Sequence, residues 1–152
     1  MASTYSALKI ELIGTGDQAG TWGNTTNTNL GVAIEEAITG SANVTFANAS
    51  VTLTLTDTNA SQAARNLRLN LVGNSNDTHQ LIVPAIEKQY IINNTLANPV
   101  TVKNSTGTGI NVAASTSTIV FNDGTNVVDA ITPTTAGVTT GKSIAMAMIF
   151  GF

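Results

Sequence analysis

Apolar and polar residues alternate along most of this chain, with the two-residue period of strands half-buried against a core. Leu8, Ile10 and Leu12 alternate with Lys9 and Glu11. Val51, Leu53 and Leu55 alternate with Thr52, Thr54 and Thr56, and Leu67, Leu69 and Leu71 with Asn66, Arg68 and Asn70. Shorter runs around Val44 and Phe46, from His79 to Pro84, from Gln89 to Asn93, at Val100 and Val102, and at Ile110 and Val112 predict further strands. In the stretch IVFNDGTNVVDAI, residues 119–131, Asn122-Asp123-Gly124 between two apolar runs predicts a hairpin, because Asp and Gly tolerate the positive φ of a tight turn.

One segment breaks the alternation. Leu30, Ala33, Ile34, Ala37 and Ile38 recur at helical spacing. Asn27, Thr28 or Asn29 can cap their N-terminal side, Glu35 and Glu36 follow, and Gly40 can close the far end. A short α-helix over residues 27–39 is therefore expected near the N-terminus, with a single helical turn at residues 59–65. About eight or nine short strands and one helix give an all-β fold, a mainly antiparallel sandwich or barrel-like domain. The β-rich domain is expected over residues 1–131. Residues 132–152 form a Thr/Gly arm and a terminal apolar strand, belonging to the same domain or exchanged between subunits.

Composition narrows the function. Among 152 residues, 42% are hydrophobic and only 10% charged, against about 25% charged in an average domain. There is no cysteine and a single histidine, which excludes disulfides, a Cys-based zinc site and a cysteine nucleophile. The net charge is −3, with six basic residues, so no basic face is available to neutralise nucleic-acid phosphates. Met1 to Ser6 carry neither the basic nor the apolar run of a signal peptide, and no apolar stretch approaches the ~18 residues of a membrane span. Polarity comes instead from Thr and Asn, which leave a surface with little charge repulsion against self-association.

Motifs that imitate chemistry fail on inspection. Gly137 through Gly141, Lys142 and Ser143 is one residue short of a phosphate-binding P-loop and follows a polar, proline-bearing stretch rather than a buried strand. Gly14, Gly16 and Gly20 have the wrong spacing for dinucleotide binding, and the chain has no βαβ unit around them. Asp57-Thr58-Asn59 begins like a calcium loop, but Gln62 and Arg68 stand where Gly and Glu are required. Glu35 and Glu36 are adjacent on a helix and point apart. Asp123 has a turn role, and His79 reads as a solvated loop histidine. No catalytic residue, metal ligand or cofactor is expected.

The terminal strand places Ile144, Met146, Met148, Phe150 and Phe152 on one face. That face either completes the monomer's core or packs against a neighbouring subunit, as a terminal strand behind a Thr/Gly arm is well placed to do. Trp22, with Gly23 and Asn27, reads as a structural anchor fixing the passage from strand to helix.

The block LKIELIGTGDQAGTWGNTTNTNLGVAIEEAITG, residues 8–40, resembles a module of tail-fibre-like and accessory virion proteins of tailed bacteriophages. The similarity rests on the Leu8 to Ile13 segment, Gly14 and Gly16, Thr21-Trp22-Gly23, Asn27 and Asn29, and the helix. It continues through Ala64-Arg65-Asn66-Leu67, Val83-Pro84-Ala85-Ile86-Glu87-Lys88, Val100-Thr101-Val102-Lys103 and Asp123-Gly124-Thr125-Asn126-Val127. The resemblance implies a β-rich, non-enzymatic particle component, commonly a homotrimer, contacting other virion proteins on the outer surface of capsid or tail after synthesis in the host cytoplasm. A chain without a repetitive shaft or a separate tip fits a capsid cement or decoration protein better than a long fibre. The alternative is a short tail-fibre or host-adhesion protein that binds a host-surface glycan through polar loops such as 73–77 or 104–109.

Overall fold

The computed structural model describes residues 1–131. It opens with β1 (Thr4–Tyr5) and β2 (Glu11–Leu12), a minimal antiparallel pair. The strand expected over Leu8 to Leu12 is cut short because Lys9 takes a positive φ of 60°. A continuous helix spans residues 22–39: α1 (Trp22–Thr28), a π-helical stretch (Asn29–Ile34) and α2 (Glu35–Thr39). Strands β3 (Ser41–Ala47), β4 (Val51–Thr52), β5 (Arg68–Asn74), β6 (His79–Ile82), β7 (Glu87–Asn94), β8 (Val100–Lys103), β9 (Gly109–Val112), β10 (Thr116–Asp123) and β11 (Val127–Asp129) follow, with a 3₁₀ turn (Ala63–Arg65) before β5. None of the helices among the described residues is long and apolar enough to cross a membrane.

The strands form a five-stranded sheet, β11-β10-β7-β5-β3, and a four-stranded sheet, β4-β6-β8-β9. Between them lies one core, to which Val44, Phe46, Leu69, Leu71, Tyr90, Ile92 and Val120 contribute from the first sheet and Leu81, Val100, Val102 and Val112 from the second. The all-β fold with a helix near the N-terminus is thus present, and its two sheets face each other as a sandwich.

The pairing is mixed rather than mainly antiparallel. From β3 to β8 the chain alternates between the two sheets. Each return lays a strand parallel to its predecessor: β3 with β5 and β5 with β7 in one sheet, β4 with β6 and β6 with β8 in the other. Parallel neighbours need a crossover, and here the opposite sheet supplies it instead of a helix. After β8 the chain reverses, and β9, β10 and β11 close the sandwich as antiparallel pairs. The hairpin at Asn122-Asp123-Gly124 forms as its sequence dictates. Gly124 adopts φ +87°, and Asp123 Oδ1 accepts the amides of Thr125 and Asn126 at 2.8 and 2.6 Å.

The helix begins five residues earlier than its apolar spacing suggests, so Asn27 lies inside it and caps nothing. In a π turn the hydrogen bonds span one residue more than in an α-helix, which shifts the apolar positions around the axis. Ala33 alone is fully buried in the helix, while Leu30 and Ile38 are exposed.

Candidate functional site

The polar centre of the molecule is Arg65. It stands on the 3₁₀ turn that delivers the chain into β5, and its side chain is fully buried. Its guanidinium meets Glu36 of α2 at 3.2 Å and donates to the carbonyls of Leu8 (3.1 Å), Lys9 (3.3 Å), Thr58 (2.9 Å) and Ala60 (3.1 Å). Glu36 in turn accepts from Ser61 Oγ and from the Gln62 amide. Gln62 closes the same loop, accepting the Thr56 amide at 2.7 Å and donating to the Thr56 and Thr58 carbonyls. A buried ion is tolerated only when its hydrogen-bonding capacity is filled, and Arg65 fills its own from three separate segments. This hub fixes the N-terminal segment and the helix to the sandwich; nothing in the sequence pattern marks it out.

Several other titratable groups are taken up by local structure. Asp57, the first residue of the calcium-like stretch, pairs with Lys9 at 2.8 Å, and Asn59 donates to Glu11. Asp17, behind Gly14 and Gly16, accepts from the Ser3 hydroxyl and amide and from the Gln18 amide, with the Ser3 hydroxyl the main cause of a carboxyl pKa below its usual value. The Asn126 and Thr125 amides lower the Asp123 carboxyl likewise. Asp123 and Glu87 stand opposite each other in the backbone register of β10 and β7, beside an open groove of about 690 Å³ that Leu8, Ala85 and Ile86 help to line. His79 differs from a solvated loop residue: it opens β6, is half-buried, and stacks on Phe46 with ring centroids 6.5 Å apart. Lys88 is buried with its ammonium 4.9 Å from the Tyr90 ring centre, and burial lowers its pKa to about 8. No group of three His, Asp or Glu placed to hold a metal occurs among the described residues.

Two surface features remain. On the outer face of the five-stranded sheet, Asn43, Asn70, Asn93 and Ser117 stand in register across β3, β5, β7 and β10. Ser117 Oγ donates to Asn93 Oδ1 (2.8 Å), Asn93 Nδ2 to Asn70 Oδ1 (3.1 Å), and Asn70 Nδ2 to Asn43 Oδ1 (3.3 Å), so every bond of the ladder runs toward β3. The second feature is apolar: Leu12, Trp22, Leu30 and Ile38 are exposed on the N-terminal unit, as are Phe121, Val128 and Ile131 at the β10–β11 end of the sheet.

Of the sequence-predicted anchors, Trp22 is 61% exposed and starts the helix from the surface, so it is no core anchor. Gly23 has open space where a Cβ would stand, and Asn27 is exposed. Neither residue holds the strand-to-helix passage: Gln18 Nε2 donates to Glu11 of β2 and Gln18 Oε1 accepts from the Thr25 hydroxyl of α1, while Asn29 Nδ2 donates to the Glu11 carbonyl at 2.8 Å. The predicted interface residues Ile144, Met146, Met148, Phe150 and Phe152 lie outside the described residues. No protein-family model matches the chain, and neither a curated protein nor a solved structure matches it.

Proposed function

We propose that this chain is a non-enzymatic structural protein of a tailed-bacteriophage virion, an outer accessory component of the cement or decoration type that works by self-association and by contact with other virion proteins. The observation that carries this reading is the pairing of charged groups tied into holding the fold with apolar side chains left at the surface. Arg65, Glu36, Asp17, Asp57 and Asp123 all have structural partners, whereas Trp22, Leu30, Ile38 and Phe121 face outward. Exposed apolar area of this kind, on a chain with little charge to repel its copies, suits burial against neighbours. The phage resemblance of residues 8–131 supplies the setting and the expectation of a trimer. Repeated weak contacts across a capsid lattice would act by avidity, each reinforcing the next.

Copy number tests the reading. Added to purified shells lacking it, the protein should bind in many copies, in a fixed ratio to the capsid subunit, and raise the temperature at which the shells release their contents. Binding to host cells instead, with few copies per particle, would replace it with the adhesion reading.

A further inference from the structure

Strand β3 is the open end of the five-stranded sheet. Within the described residues it pairs only with β5. The Gly40 carbonyl accepts from Arg68 and the Asn48 amide donates to Asn74, so the even-numbered residues of this stretch direct their backbone groups at β5. By the alternation of a parallel ladder, the amides and carbonyls of Ser41, Asn43, Thr45 and Ala47 point the other way, and all four residues are exposed.

Soluble proteins protect such an edge with charge, proline, a bulge or short length. The sequence Ser41-Ala-Asn-Val-Thr-Phe-Ala47 has no charge and no proline, and the strand is seven residues long. The other sheet termini are blunted: β4 has two residues, β11 has three and carries Asp129, and β9 has four. The asparagine ladder also stops at β3 unfinished. Asn43 Oδ1 accepts from Asn70, while Asn43 Nδ2 has no partner among the described residues.

We propose that the free edge of β3 is the seam at which a second copy of this chain joins, antiparallel and related by a two-fold axis through Val44. The strand is self-complementary in that register. Asn43 faces Thr45 of the second copy and Ser41 faces Ala47, each as a pair that exchanges both backbone hydrogen bonds. The Asn43 amide then donates to the Thr45 hydroxyl opposite, which extends the ladder across the seam. Val44 meets its own copy and Ala42 meets Phe46, so the two cores join on the inner face. The occupant is a second copy because the edge offers donors and acceptors in matched, reciprocal positions and no charge for a partner of opposite sign. The seam rests on the self-association proposed above, but not on its trimer: a two-fold seam builds even-numbered assemblies.

The test measures solution mass by light scattering. The wild-type chain should be a dimer, or a larger even-numbered assembly. Thr45→Pro removes only an outward-facing amide, and Asn43→Lys places a charge on the edge; each should halve the mass while leaving the circular dichroism spectrum unchanged. Since the chain has no cysteine, Val44→Cys reads the axis directly. Residues meeting on a two-fold axis at a non-hydrogen-bonded position lie about 4.5 Å apart, within disulfide reach, so mild oxidation should give a covalent dimer, while Ser117→Cys on β10 should not. An oligomer untouched by both edge substitutions, with no Val44→Cys crosslink, overturns the seam and leaves self-association standing. A chain that stays monomeric as its concentration rises overturns both.

Discussion

Arg65 and Glu36 meet at 3.2 Å, with the arginine wholly enclosed and the carboxylate largely so. The pair joins the end of the N-terminal helix to the turn that starts β5, and the arginine's remaining donors reach the Leu8–Lys9 and Thr58–Ala60 backbones. Removing one partner of such a pair strands the other charge. Arg65→Ala should therefore destabilise the protein by about 3–5 kcal/mol in urea unfolding. Arg65→Lys should recover little of this, because a point charge cannot replace a planar fork that reaches five acceptors. Hydrogen exchange in the alanine variant should quicken first at residues 8–11 and 57–61, before the strands.

Gly73 illustrates a tighter constraint inside β5. It adopts φ +100°, and a Cβ there would run into the Phe46 carbonyl of the adjoining strand. Gly73→Ala combines left-handed strain with a backbone collision at the β3–β5 junction. Such strain alone is of order 1–3 kcal/mol, and the melting temperature should fall accordingly. Gly16, with φ +79° but open space where its Cβ would stand, should cost less when replaced by Ala.

What was legible in the sequence is what is local. The Asn122-Asp123-Gly124 turn needs only its own residues to be recognised, and the alternation in Arg68 to Leu71 survives in β5. The coiled path of the chain was not legible, because parallel returns are normally announced by helices and here the second sheet does that work. Nor did a fixed period betray it: Ser41 lies beside Arg68 and Arg68 beside Ile91, at unequal spacings along the chain. A subtler signal was present in Ala42-Asn43, Leu69-Asn70 and Ile92-Asn93, where an asparagine follows an apolar residue at the same height on three strands. Arg65 was hidden for another reason: an arginine beside two alanines reads as surface until the distant Leu8, Thr58 and Glu36 are brought around it.

Lys88 gives the protein a pH dependence of known sign. Its folded pKa of about 8 lies below the ordinary lysine value of 10.5, with burial as the cause, so between those two values the unfolded chain holds more protons than the folded one. Stability should rise with pH through that window as the buried ammonium becomes neutral. Burial raises the Tyr90 pKa above 10.0, and ionisation of that phenol in the unfolded chain opposes the rise at higher pH. Lys88→Met should be more stable than wild type at pH 7 by about 1 kcal/mol, since relief of the buried charge is partly offset by giving up its cation–π attraction to Tyr90. Chemical denaturation at pH 7 and pH 9.5 checks the sign: the variant's advantage should shrink at the higher pH.

The exposed apolar face of the helix separates a packing role from an interaction role. Leu30 and Ile38 are 56% and 62% exposed, and neither belongs to the core between the sheets. Replacing both with Ser removes little buried area, so unfolding free energy should stay within about 0.5 kcal/mol of wild type, as for ordinary surface changes. If the face is a contact surface on the particle, the same double variant should bind purified shells at least tenfold more weakly, the equivalent of about 1.4 kcal/mol. Because neither Leu30 nor Ile38 belongs to β3, the variant should keep the solution mass that the β3 seam gives the wild-type chain. Unchanged shell binding would remove this face from the assembly surface, and a loss of folding stability would show that the two side chains serve the monomer instead.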